Sequence, residues 1–260
     1  MIFQLECKNY IKSTLIAAIV IGMMLLMVIF MFPMMQEQMS GMISMIESLG
    51  MFTQALKIDS KMISELLGFY SMEMENMLGI GGAFFAGYLG IKMIVKEENN
   101  HTAEFLLTHP VSRLSVYGQK SLAVTTMIII FNIGAVACAW LGIVLSNQPV
   151  NLGDFIVLHL VTMCVHLLIA WACIGMSAFL RQEMIGLGLG FVFILYILNI
   201  MINLSDQISF LKWITPFQFA YAADVLGGAF NMPVFISTTI ISLIIWCLGG
   251  IYYYRKDIHS

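Results

Sequence analysis

Methionine, histidine and glutamate are the side chains of this sequence with chemistry to offer. Met39, Met42 and Met45 form an M-x-x-M-x-x-M run, and thioethers favour Cu(I). His159, Met163 and His166 share one face of an apolar stretch, which adds imidazoles to a copper-handling reading. Residues 159 and 166 stand about 10.5 Å apart on a helix rising 1.5 Å per residue, so one ion would need ligands from elsewhere. A spacing of three is also what any apolar helix face shows, and pliant methionine suits contact with greasy ligands. A second chemistry is acid–base. His101 and His109 lie among Glu97, Glu98 and Glu104, the one place where a membrane-embedded enzyme acting on lipids would find its groups.

Other chemistries have no residues here. The sequence holds no G-x-x-x-x-G-K-[ST] phosphate loop, no G-x-S-x-G and no H-E-x-x-H. Gly79, Gly81, Gly82, Gly87 and Gly90 cluster without a following Lys–Ser or Lys–Thr. Gly82, Ala86 and Gly90 instead form a small-xxx-small ridge for close helix packing, and Gly186 with Gly190 repeats that spacing. Cys138, Cys164, Cys173 and Cys247 fall in apolar runs and Cys7 near the N-terminus, a pattern of buried thiols rather than of disulfides.

The elements that must position these groups are membrane spans. Of 260 residues, 60% are hydrophobic and 10% charged, far from the balance of a soluble domain. Lipid must solvate part of that surface. The net charge of −3 and the absence of a long basic run exclude a nucleic-acid partner. About 20 apolar residues cross the hydrocarbon layer. Six stretches qualify, at about 13–32, 77–95, 121–145, 155–179, 184–203 and 234–254. The expected fold class is thus all-α, a single polytopic domain over residues 1–260. The first stretch is too long for a secretory signal and has no cleavage site before Pro33, so it reads as a retained span.

Basic residues set the orientation. With the N-terminus inside, nine of the twelve Lys and Arg face the cytoplasm, and only Lys57, Lys61 and Lys212 face out. Both termini are then cytoplasmic and the chain is a multi-pass protein of the cell membrane. No carboxylate falls deep in the six stretches, so an ion relay of the usual kind is missing. Segment 34–76 is external, with Met35, Met39, Met42, Ile46, Leu49, Phe52 and Leu56 on one helical face. It is too polar to span and suits the outer interface or the flank of neighbouring spans. Loop 204–233 is external too, its Phe210, Trp213, Phe217, Phe219 and Tyr221 suiting interfacial depth.

Cytoplasmic segment 96–120 is the most informative. Asn99 or Asn100 can cap a short helix, with Glu104 in its first turn, and Pro110 ends it. Phe105, Leu106 and Leu107 give that helix an apolar patch in an aqueous setting, which calls for a partner surface or for the chain's own helix ends.

Glu98, Thr102, Glu104, Leu106, Leu107, Pro110 and Arg113 resemble the E-x-x-x-T-x-E-x-L-L-x-x-P-x-x-R pattern of ABC-2 type permeases, with His101 where that family has Gly. Leu211 to Phe217 resembles the family's hydrophobic–Ser/Thr–Pro–Phe element, and Tyr254 to Ile258 its short basic tail. The resemblance implies that 96–120 holds a coupling helix, with Phe105 in its apolar patch, seated in a groove of a separate P-loop ATPase subunit. It implies a second permease copy, identical or related, and ATP bound by the partner with no cofactor on this chain. The implied task is outward movement of an amphipathic, lipid-like or peptide substrate. Copper handling through the Met-rich segment, and a membrane-embedded sensor or enzyme, are the rival readings.

Overall fold

The computed structural model describes residues 2–48, 65–99 and 112–256, of which 36–48 and 206 by backbone alone. Every described element is a helix. Helix α1 (Ile2–Ser48) runs through Pro33. Helix α2 (Leu66–Met74) passes through a π-helical segment (Glu75–Ile80) into α3 (Gly81–Met93). Short α4 (Lys96–Asn99) is followed by α5 (Arg113–Ser146), α6 (Leu152–Ser177) and α7 (Ile185–Leu204). Two 3₁₀ turns (Asp206–Trp213 and Pro216–Phe219) and α8 (Ala222–Leu226) lead to α9 (Met232–Arg255).

Local chemistry starts these helices where they start. The Ser112 side chain accepts from the Ser115 amide at 3.2 Å, Asn151 from Gly153 at 2.9 Å and Asn231 from Val234 at 3.3 Å. Each satisfies an amide that the first turn leaves without a helical partner. Asn147 ends α5 in the left-handed region at φ 52°, a conformation that asparagine tolerates.

Five helices are long and apolar enough to cross a membrane: the Ile2–Met35 part of α1, α5, α6, α7 and α9. The stretch expected at 77–95 behaves differently. It belongs to the run Leu66–Met93, whose three pieces are each too short to cross alone. The run begins at Leu66 because Leu66, Phe69, Tyr70 and Met74 are buried in an apolar cluster with Phe32 and Phe155. Segment 34–76 is therefore no single peripheral element. Its first part continues α1 as far as Ser48, and its last part is core. Glu73 and Glu75 also belong to this run and lie outside the five helices long and apolar enough to cross a membrane.

Helix α1 packs along α5, α3 against α6 and α7, and α9 against α6. The small-residue ridge on α3 has the expected role. A Cβ on Gly82 would lie 2.3 Å from His166 Cε1, and one on Gly90 2.6 Å from the Ala170 carbonyl. On α7 the expectation fails. Gly186 and Gly190 have no neighbour within 4 Å of a Cβ, whereas Gly188 lies against Gly87 and Ile91. Spacing of four marks a shared face, but not which face turns inward. Leu15, Ile16, Ile19, Val20, Met23 and Met27 line an exposed face of α1, as lipid contact demands. The five cysteines are unpaired.

Candidate functional site

Chain ends and segment ends meet at one end of the bundle. Helix α3 stops at Met93, and the amides of Ile94 and Val95 both donate to Ser177 Oγ at 3.2 Å. That hydroxyl fixes the turn leading into α4. Lys120, on the second turn of α5, is fully buried and donates to the Met93 carbonyl at 2.7 Å. It also pairs with Glu97 and stands 3.9 Å from Glu6. Glu6, buried on the first turns of α1, pairs with Lys96. The Lys96 ammonium lies 5.2 Å from the centre of the Tyr10 ring.

Lys256 completes the arrangement from just beyond α9. Its ammonium lies 2.8 Å from Glu98 and donates to the carbonyls of Ala178, at 3.2 Å, and Leu180. Its own carbonyl accepts from the Arg113 guanidinium. Lys92 pairs with Glu183 at 3.4 Å, and the Asn99 side chain accepts from the Glu183 amide at 3.1 Å. A buried charge without a partner is prohibitive, so such ions persist only when paired and bonded throughout. Here five cations and four carboxylates bind α1, α3, α4, α5, α6 and the α9 terminus into one platform.

Of the residues singled out in the sequence, Glu98 and Arg113 are thus brought to the same residue, Lys256, from the two sides of segment 100–111. Thr102, Glu104, Phe105, Leu106, Leu107 and Pro110 lie outside the described residues, as do His101 and His109. The segment is also narrower than 96–120: residues 96–99 form α4 and 113–120 are the opening turns of α5. Glu97 and Glu98, the described carboxylates of the acid–base reading, are held in ion pairs. Glu6 and Lys120 were not singled out by any motif, and Lys256 entered only as part of the basic tail Tyr254 to Ile258, with no partner assigned. Their signal is a charged residue bordering an apolar run, which is tolerable only with a partner.

A second region lies toward the other end. The π-helical segment exposes the Gly79 carbonyl, which faces His166 Nε2 at 3.2 Å, while His166 Nδ1 faces Asn132 Oδ1 at 3.1 Å. The Tyr70 hydroxyl meets His159 Nε2 at 2.9 Å. These histidines serve separate contacts within the bundle, and among the described residues no three His, Cys, Asp or Glu side chains gather to hold a metal ion. The side chains of Met39, Met42 and Met45 lie outside the described ones.

Beside this layer is a cavity of about 270 Å³ lined by Glu73, Glu75, Tyr196, Asn199, Phe217 and Tyr221, among others. The Tyr221 hydroxyl accepts from Asn199 Nδ2 at 2.8 Å and from Asn203. Gln218 donates to Asn199 Oδ1 at 2.9 Å and Asn203 Oδ1 at 3.0 Å. Burial, with the Glu75 carboxylate near it, pushes the Tyr221 hydroxyl well above its usual range, which keeps it neutral. Of the aromatics expected at interfacial depth, Phe210 and Trp213 are exposed, but Phe217, Phe219 and Tyr221 are buried. The Thr215 hydroxyl donates to the Leu195 carbonyl at 3.1 Å, and Phe217 packs edge-on against Tyr196, which seats the Thr–Pro–Phe element on α7.

Residues 1–257 match the family described as ABC-2 family transporter protein. No curated protein matches the chain.

Proposed function

The chain belongs to the ABC-2 family of transporters, and on that premise we propose that it is a six-span exporter permease whose segment around residues 100–111 transmits the ATPase stroke. Membership makes it the membrane component of an ABC transporter, a subunit without an ATPase domain, and implies partnership with an ABC ATPase that binds the ATP. The sixth crossing in this reading is the run Leu66–Met93. Its length of about 40 Å at helical rise suffices for the ~30 Å hydrocarbon layer.

The observation that carries the proposal is the grip of Lys256 on both flanks of the segment, through Glu98 and Arg113. A lever transmits force only if its base is stiff. Ion pairs that tie the base to α1, α5, α6 and α9 would pass a push on the segment to several spans together. The excess of Lys and Arg at this end, with both termini there, supports a cytoplasmic orientation. A second permease copy, identical or related, would complete the pathway, with an amphipathic, lipid-like or peptide cargo moving outward.

The test is Leu106→Asp with the partner ATPase co-expressed. A carboxylate in an apolar groove is costly unless paired. The variant should reach the membrane at normal level yet lose the ATPase on co-purification, and lose export with it. Leu56→Asp is the control and should retain the partner. Full ATPase association by Leu106→Asp would remove the coupling role from this segment.

A further inference from the structure

We propose that His166 is a binding site for a second proton, taken up on acidification, and that the charged ring then joins the π-helical segment to α5. This goes beyond the coupling reading and does not rest on it. A neutral imidazole offers one N–H and one lone pair, whereas the protonated ring offers two N–H groups. His166 is fully buried, and each of its ring nitrogens faces an oxygen. Nδ1 meets the Asn132 side-chain oxygen at 3.1 Å, and Nε2 the Gly79 carbonyl at 3.2 Å. Both oxygens belong to amides and can only accept.

The surroundings hold both oxygens against the ring. Asn132 Nδ2 donates to the Ile128 carbonyl at 2.8 Å, so turning the amide over to offer its nitrogen would break that bond. A Cβ on Gly82 would lie 2.3 Å from His166 Cε1, so the ring is seated tightly on α3. Phe131 meets it edge-on, with ring centres 6.1 Å apart. With its single proton on Nδ1, the neutral ring sets a lone pair against the Gly79 carbonyl. With that proton on Nε2, the lone pair faces Asn132 Oδ1 instead. Only a second proton bonds both oxygens.

The cavity of about 270 Å³ gives the proton its route, because Gly79, Thr162 and Val165 line it. Its volume suits several waters, and Thr162 stands roughly one turn before His166 on α6. The groups that α5 and α3 turn to the ring, Phe131, Asn132 and Gly82, do not titrate. On α6 itself, His159 lies about two turns away and is bonded to Tyr70 of α2. Glu73, Glu75, Tyr196 and Tyr221 line the cavity, with Glu75 engaged by the Ala222 amide. A buried charge is tolerated only when bonded, and two fixed acceptors with water beyond one of them meet that condition. Since π-helical turns recur at functional sites, a ring that grips this turn when charged sets how tightly the π-helical segment follows α5 and α6.

The experiment uses the full-length permease, ¹⁵N-labelled at histidine, in phosphatidylcholine nanodiscs without the ATPase. Ring ¹⁵N spectra and amide hydrogen exchange over Glu75–Gly82 are followed from about pH 8 to about pH 4. Exchange rates are corrected for their intrinsic dependence on pH, and the signals lost in His166→Gln identify the ring. Acidification should convert that ring from one protonated nitrogen to two, and slow exchange of the segment at least about tenfold. In His166→Gln, whose side chain does not titrate, the corrected exchange should not change with pH. Asn132→Leu removes one of the two acceptors and should likewise lose the response, which keeps the test open if His166→Gln is unstable. A wild-type ring that keeps one proton throughout, a segment whose exchange ignores the change, or a wild-type response in either variant would each overturn the proposal.

Discussion

The two ends of this bundle treat charge in opposite ways. Around Lys96, Lys120 and Lys256 each ammonium meets a carboxylate from an element other than its own. Around the cavity, Glu73 and Glu75 stand two residues apart in one helical run, among amides, rings and aliphatic groups that also line the space. Ions shared across elements hold shape, because each charge is already met within the fold. The fold thus keeps an ion-paired platform at one end and a cavity at the other, with the His166 layer between them.

The most damaging break should fall in the platform. Lys120→Met leaves Glu6 and Glu97 buried with one partner fewer, an imbalance worth about 3–5 kcal/mol. Thermal denaturation of the purified chain should show a large loss, and Glu97→Gln in the same chain should recover part of it. If Lys120→Met unfolds at the wild-type temperature, the platform is not held by its ions.

Lys256→Ala should cost less in stability, about 1–3 kcal/mol for the ion pair and the carbonyl bonds it removes. Its distinctive effect is on coupling: ATPase association should persist while export per ATP hydrolysed falls. Retained coupling would separate the tail from the transmission step.

Next in size is Gly82→Ala. Its methyl would drive into the His166 ring, so we expect about 1–3 kcal/mol of destabilisation from overpacking. Gly186→Ala should be the smallest effect. Nothing lies within 4 Å of its Cβ, and alanine is favoured over glycine in a helix by up to about 1 kcal/mol. Equal behaviour of the two alanine variants in a denaturation series would erase the distinction between packed and outward glycine faces.

Much of this fold was legible because apolar runs dominate the sequence. The stretches that became α5, α6, α7 and α9 carry few charges, and span length sets their scale. The start at Leu66 was hidden for the same reason. Glu65, Glu73 and Glu75 dilute the apolar signal, although Leu66, Phe69 and Tyr70 are core. The glycines of α7 were misread because their inward face is chosen by α3, through Gly87 and Ile91. Glu98 and Arg113 were found by pattern and Lys256 within the basic tail, but that the tail joins the two was not legible. Arg113 and Lys256 lie 143 positions apart, and only the folded chain brings them together.

The π-helical segment between α2 and α3 carries a geometric consequence. A π-helical turn is an α-helical turn with one residue more, and one residue is worth about 100° of rotation. The two halves of the run Leu66–Met93 are therefore out of phase. Glu73 before the bulge and Glu75 at its first residue line the cavity, and beyond it Gly82 and Gly90 look onto α6. Removing one residue from Glu75–Ile80 would bring the halves back into step. Either the acids or the glycines would then swing away from their places by about a quarter turn, with no side chain in either set changed. The bulge is in this sense a phase shifter, letting one rod face two directions.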